Sequence, residues 1–346
     1  MSETPQTRAI ASRQIGNTGL MVTELGFGGA PLGNLYAPLG DAQAEATVRR
    51  AYDGGIRYFD TAPYYGHGLS EHRLGHALRH APRDNFVLST KIGRLLSPAD
   101  PATIEPGQFP GCLPFKPVFD YSYDGVMRSI EDSLQRLGLH RIDIALIHDV
   151  DKWTHQTQAE TDRRFSEVME GGYKALDALR AQGVIRAIGG GLNEWEACER
   201  FARAGDFDCF LLASRYTLLN QHSLDSFLPL CVEKNISVII GGPYNTGILA
   251  TGAVEGACYD YETAPSEIME KVRRLEAVCA RHEVPLATAA LHFPLYHPAI
   301  ACVIPGARSP DEIERNLATY HRPIPDDLWA ELKQEGLLRA DAPTPA

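Results

Sequence analysis

Eight times in succession a short apolar run is followed by a longer amphipathic stretch, and few folds accept that rhythm. The apolar runs at 25–28, 56–59, 86–91, 142–148, 184–189, 208–213, 236–240 and 301–304 predict strands. The stretches 41–54, 70–80, 124–137, 165–181, 194–204, 223–234, 266–282 and 310–319 predict the helices that follow them. Most of the strands are continuous apolar runs rather than alternating ones, as expected when both faces of a sheet are covered. Eight such units in 346 residues predict one α/β domain, a (β/α)8 barrel of the TIM type, with an open doubly wound sheet as the alternative. The ordered core is expected over about 14–340, with the Pro-rich stretch 97–117 as a loop insertion after the third strand and a frayed tail over 340–346.

Composition narrows the classes of function. Thirty-three Lys and Arg against 44 Asp and Glu give a net charge of −11, a poor match to a phosphate backbone, so no nucleic-acid partner is expected. No run of about 18 apolar residues exists, so no membrane-spanning helix is expected. The N-terminal MSETPQTRAIASRQ is polar and lacks the apolar centre of a secretory signal. Seven scattered cysteines without a C-x-x-C pair read as reduced thiols, consistent with a cytoplasmic location. A small-molecule substrate remains the natural partner.

In a barrel of this kind chemistry gathers at the C-terminal ends of the strands. The second strand ends in FDTAPYYG, the third in STK and the fourth in IHD. Asp60, Tyr65, Lys91 and His148 are thereby delivered to one rim from three neighbouring strands. A lysine at the end of an apolar strand needs a partner to keep its charge, and Asp60 is the natural one. A free tyrosine titrates near ~10, and an adjacent ammonium favours its phenolate. Tyr65 can then exchange a proton with an alcohol or carbonyl oxygen while His148 donates a hydrogen bond to the same oxygen.

The segment GIRYFDTAPYYGHGLSEHRLGHAL, followed by STKIG and LIHD, resembles the aldo-keto reductases over about 25–320. Asp60, Tyr65, Lys91 and His148 match that family's catalytic pattern position by position. The resemblance implies an aldo-keto reductase type of barrel, a nicotinamide cofactor and hydride transfer. FDYSYDGVMRSIEDSLQRLG, RIDIALIHDVD and LLASRYTLLNQ are similar to the L-fucose dehydrogenase (D-threo-aldose 1-dehydrogenase) branch, which pyridoxal 4-dehydrogenase also resembles. That branch implies oxidation of an aldose of the L-fucose, D-arabinose or L-galactose type at C1 to the aldonolactone. The alternatives are pyridoxal, a general aldehyde or ketone, or a redox-sensing subunit bound to a partner protein.

The resemblance also places cofactor residues. Gly306, Ala307, Arg308, Glu312, Arg315 and Asn316 fall on the family's adenosine-binding segment, where glycine before a helix N-terminus gives backbone donors access to phosphate. Gly28, Gly29 and Ala30 match its first-strand contact, Asn193 its carboxamide contact, and Gly242 and Pro243 its pyrophosphate loop. The local sequence is IGGGLN where relatives more often read IG-x-SN, so the serine is replaced by Gly191 or displaced. Glu312 stands where NADP-preferring relatives tend to carry a basic residue. A carboxylate repels a 2′-phosphate and accepts from a 2′-hydroxyl, so NAD is expected, with NADP admitted by Arg308 and Arg315. Tyr36, Trp153 and the 97–117 insertion lie on loops that could read the substrate.

Three other patterns carry less. Gly26-x-Gly28 fails the dinucleotide fingerprint because Pro31 takes the third glycine position. None of the 14 tyrosines has a lysine four residues on, the short-chain dehydrogenase spacing. His72, His76 and His80 repeat at helical spacing opposite the apolar face set by Leu74, Ala77 and Leu78, which predicts solvated side chains and no metal.

Overall fold

The computed structural model describes residues 9–345. The beginning of the polar N-terminal stretch, residues 1–8, lies outside the described residues. Eight parallel strands form one sheet: β1 (Phe27–Gly28), β2 (Tyr58–Asp60), β3 (Val87–Ile92), β4 (Ile144–His148), β5 (Ala187–Leu192), β6 (Cys209–Ala213), β7 (Ser237–Gly241) and β8 (Ile300–Ile304). They lie side by side in chain order. Bridges from Leu25 to Val303 and from Gly28 to Gly306 join the first to the last, which closes a (β/α)8 barrel.

The continuous apolar runs follow from two separate cores. Along β4, Ile144 and Leu146 point into the barrel with Tyr58, Val87 and Leu211. Ala145 and Ile147 point outward into the larger core beneath the helices. The same alternation turns Tyr58, Val87 and Leu146 inward, and two residues further along each strand come Asp60, Ser89 and His148. Lys91, two residues beyond Ser89, follows suit. Polar residues at the strand ends thus face the barrel mouth because the apolar residues beneath them face its interior. The opposite end is plugged by an antiparallel hairpin, Ser12–Ile15 with Leu20–Thr23, whose Ile15, Leu20 and Val22 join the inner core.

Several expectations require correction. The stretch 97–117 is no open loop: Arg94–Pro98 pairs antiparallel with Phe115–Phe119, and the intervening chain buries Phe109. A two-stranded ribbon has free edges, so its prolines cost no ladder bonds. The fourth helical stretch begins at Gln158 rather than Phe165, because Thr157 caps it by accepting from the Glu160 N–H. A π turn over Val168–Gly172 then joins it to Tyr173–Ala181. After β7 come a short helix, Ile248–Thr251, then the outer helix Ser266–Arg281, as expected, and the shorter, buried Leu286–His292. The outer one packs against a further helix, Asp326–Gln334, which anchors Trp329 in the core. The tail is held rather than frayed: Ala342 is buried and Arg339 pairs with Asp341 and Asp225. Ala346 is outside the described residues. His72, His76 and His80 are solvent-exposed. Among the described residues no helix is long and apolar enough to cross a membrane.

Candidate active site

At the C-terminal ends of β2, β3 and β4 the four polar residues converge. Lys91 Nζ donates to Asp60 Oδ2 at 2.6 Å and to the Thr61 carbonyl at 2.9 Å. Asp60 Oδ1 accepts from Ser89 Oγ at 2.7 Å, and Ser89 shares a 2.8 Å hydrogen bond with Tyr58. Burial opposes both charges of the pair, but each lies in the other's field, and Lys91 is held above its ordinary value as a cation. Two of the three Lys91 protons are thereby fixed. Its ammonium lies 4.7 Å from the centre of the Tyr65 ring. Burial pushes the Tyr65 phenol above its ordinary value, and Lys91 pulls it down without cancelling the burial. The expected lowering by Lys91 is therefore present, but in this setting it moderates a raised value.

Tyr65 owes its place to a tight approach of two glycines. The chain turns back at Gly66, φ +64°, directly against Gly33. A Cβ on Gly33 would stand 2.4 Å from the Tyr65 carbonyl carbon and 2.6 Å from the Gly66 nitrogen. Gly33→Ala is expected to lower stability by about 1–3 kcal/mol, the usual range for overpacking, and to reduce turnover by displacing Tyr65. Denaturant titration checks this; an unchanged midpoint would mean that the turn yields freely.

His148 packs edge-on to Tyr65, with ring centres 5.9 Å apart. Burial, then Arg94 and Lys91, hold its imidazole well below the ordinary histidine value, so it is neutral. Its Nδ1 is buried without a partner, while Nε2 lies 3.3 Å from Asp149 Oδ2. Asp149 in turn pairs with Arg94 at 2.8 Å. Burial pushes the Asp149 carboxyl up to about 6 against the pull of Arg94.

Two adjoining cavities open on this group. One, of about 360 Å³, is walled by Tyr64, Arg94, Phe109, His148, Asp149 and Trp153. The other, of about 390 Å³, runs over Gly28, Gly29, Ala30, Gly242, Pro243 and Gly306. Both fall in the range of small-ligand sites. Ala30, Leu35, Tyr65, Leu211, Ala213 and Tyr261 line both, so the two volumes meet at Tyr65. The second cavity suits a dinucleotide: glycine backbone, the first turn of the helix Pro310–His321, and Tyr244 as an aromatic wall.

Arg308 and Glu312 also line that second cavity, where the sequence put them. Other positions differ. Ala307 is fully buried behind it, and Arg315 is 69% exposed. Asn316 accepts from the Tyr244 hydroxyl at 3.4 Å. Asn193 lines the first cavity instead, its amide donating to Asp149 at 3.0 Å and Asp151 at 3.2 Å. Two residues before it, a Cβ at Gly191 would stand 3.0 Å from Lys91 Cε, so a side chain there would press on Lys91. Trp153 faces the first cavity, whereas Tyr36 lines the second. Tyr261 lies between them, 6.5 Å from Tyr36 and 6.4 Å from Trp153 by ring centres. Arg94, Phe109, Asp149, Ser214, Tyr244 and Tyr261 are site residues that the strand-end search did not reach. Of these, Asp149, next to His148, and Phe109, inside the 97–117 insertion, carried a usable signal.

Residues 24–335 match the Aldo/keto reductase family. The chain is similar to pyridoxal 4-dehydrogenase of Microbacterium luteolum, 44% identical over 96% of this chain and 99% of that one. It is also similar to D-threo-aldose 1-dehydrogenase of a Pseudomonas species, 37% identical over 94% and 97% of the two chains. Among solved structures, the holo form of an aldo-keto reductase of Bacillus halodurans superposes with a TM-score of 0.72 at 25% identity, covering 96% of this chain and 98% of that one. Fold, strand-end constellation and sequence agree: the chain belongs to the aldo/keto reductase family, whose oxidoreductases use nicotinamide cofactors.

Proposed function

We propose that the protein is an NAD-dependent dehydrogenase that oxidises a cyclic hemiacetal to a lactone, with an aldose of the L-fucose, D-arabinose or L-galactose type as substrate. The observation that carries this reading is the meeting of the two cavities at Tyr65, beside a buried ammonium and a neutral imidazole. His148, Asp149 and Asn193 on the wall of the first cavity offer hydrogen-bond partners to a polyol. Pyridoxal is the second reading, favoured by the 44% identity to a pyridoxal 4-dehydrogenase. The two share chemistry, since pyridoxal closes on its own hydroxymethyl group to a cyclic hemiacetal.

In this scheme His148 Nε2 and Tyr65 hold the anomeric oxygen. Tyr65 takes its proton as general base, and Lys91 favours the phenolate that does so. Asp60 keeps Lys91 charged and aimed. Bound nicotinamide supplies the acceptor for the hydride that leaves C1. C1 thereby loses two electrons, its oxygen becomes a carbonyl, and the ring oxygen stays in place to give the lactone. The barrel contributes position and electrostatics. We place the reaction in the cytoplasm, consistent with the seven free thiols.

A screen of NAD reduction with L-fucose, D-arabinose, L-galactose, D-galactose and pyridoxal tests the reading. Turnover of one or more aldoses supports it. Turnover of pyridoxal alone selects the second reading, and reduction of NAD by none of them rejects both.

Cofactor preference is expected to rest on Glu312. Its Oε2 accepts from the Arg308 N–H at 2.7 Å, which holds the carboxylate at the cavity edge. The Arg308 guanidinium is committed elsewhere, donating at 2.9 Å to each of the carbonyls of Leu35, Ala37 and Pro38. Arg315 stands 3.9 Å from Glu312 in solvent. Each 1.36 kcal/mol corresponds to tenfold, so a partly desolvated charge repulsion gives NAD about tenfold or more over NADP in kcat/KM. Glu312→Lys should narrow or reverse that ratio. A ratio left unmoved would assign the preference to other residues.

A further inference from the structure

Beside His148 stands a carboxylate that the proton-transfer scheme leaves unused. Asp149 follows β4 with φ +52°, in the left-handed region that residues with a Cβ enter at a cost. The turn puts its side chain on the wall of the first cavity. Arg94 holds Oδ2 at 2.8 Å and the Asn193 amide donates to Oδ1 at 3.0 Å. The side chain of Asp149 remains 14% exposed, and a carboxylate has further lone-pair directions to offer.

Arg94 is itself unusual. Its guanidinium lies 3.9 Å from the centre of the Tyr64 ring and 4.9 Å from that of Phe119, with 6% of the side chain exposed. Its Nε and Nη1 are buried without hydrogen-bond partners. Groups left unmatched in this way are destabilising, so a purely structural ion pair is a poor explanation for them. Arg94 fixes Asp149 at one place in the cavity.

That place is informative. Asp149 Oδ2 is 3.3 Å from His148 Nε2, the group assigned to the reacting oxygen. Oxygens on neighbouring carbons of a sugar lie about one hydrogen-bond length apart. With the anomeric oxygen on His148, the hydroxyl on the next carbon falls against Asp149. We propose that Asp149, positioned by Arg94, accepts a hydrogen bond from the hydroxyl adjacent to the reacting carbon and so selects 2-hydroxy aldoses over substrates that lack it. This rests on the hemiacetal-oxidation reading above.

The test compares each oxidised aldose with its 2-deoxy counterpart; for D-arabinose this is 2-deoxy-D-ribose. The ratio of kcat/KM values is measured in the wild type, in Asp149→Asn, and in the Arg94→Met/Asp149→Ala double variant, which removes both charges together. Hydrogen bonds to a charged group predict a wild-type ratio of about 10- to 100-fold. It should drop several-fold in Asp149→Asn and come within about threefold of unity in the double variant. A residue that merely orients His148 would slow both sugars equally and leave the ratio unchanged. Aldose turnover with no preference for the 2-hydroxyl, or with a preference that survives the double variant, overturns the assignment while leaving hemiacetal oxidation intact. A wild type that oxidises pyridoxal but no aldose overturns the assignment; one that oxidises neither overturns the reading beneath it as well.

Discussion

Tyr65→Phe should lower kcat by about 10²–10⁴-fold or more while leaving NADH binding nearly unchanged. The substitution removes one oxygen and keeps the ring, so the contacts with Phe109 and His148 survive. Tyr65 and Tyr261 are the phenols where both cavities meet, and of the two Tyr65 is the one beside the Lys91 ammonium, so Tyr261 is not expected to take over its proton. His148 is neutral and holds the same oxygen as a donor through Nε2–H, so that nitrogen has no lone pair with which to take the proton. Steady-state kinetics with a fluorescence titration of NADH separate the two quantities. A Tyr65→Phe enzyme within a few-fold of wild type would remove Tyr65 from the mechanism.

The second large effect is expected at Lys91. Lys91→Met removes the one group that pulls the Tyr65 phenol down strongly, while burial and Asp60 go on pushing it up. Oxidation needs the phenolate, so the rising limb of the pH–rate profile should move to higher pH. The substitution also strands the Asp60 carboxylate, which accepts from Lys91 at 2.6 Å in a buried site. Breaking a buried pair in this way destabilises by about 3–5 kcal/mol. Adding Asp60→Asn should recover much of that stability while kcat stays low. Stability and the pH limb therefore report different roles of the same ammonium. A limb that does not move in Lys91→Met would mean that the observed ionisation belongs to another group.

The fold and the three strand-borne residues Asp60, Lys91 and His148 were legible because one pattern dictates both, whereas Tyr65, on the turn after β2, was legible only from the family pattern. Inward and outward positions alternate along a barrel strand, so the apolar residues of β4 point alternately to its two cores, and His148 inherits the inward direction of Leu146. Asp60 and Lys91 are placed by the same parity. Residues set by loop geometry were not legible in that way. Arg94 follows Gly93, φ +100°, in a ribbon whose prolines disguised its strands. Asp149 turns toward the cavity only because its backbone is left-handed. Tyr261 reaches both cavities from a loop whose neighbour, Asp260, is tied to Arg215 at 2.7 Å, a pairing across 45 residues that spacing alone cannot reveal. Glu312 was legible as a charge near the adenosine segment, yet its bond to the Arg308 N–H depends on how the helix begins. The helices missed at Leu286–His292 and Asp326–Gln334 lay outside the simple alternation of one strand and one helix.

Isotope transfer tests hemiacetal oxidation most directly. An aldose carrying deuterium at C1 is incubated with the protein and NAD, and the products are followed by mass spectrometry and NMR. The expected result is one equivalent of aldonolactone per equivalent of NADH, the deuterium on the nicotinamide, and the transfer lost in Tyr65→Phe. Tight NADH binding without deuterium transfer or lactone from any aldose of the panel or from pyridoxal would contradict it and point to a nucleotide-sensing subunit.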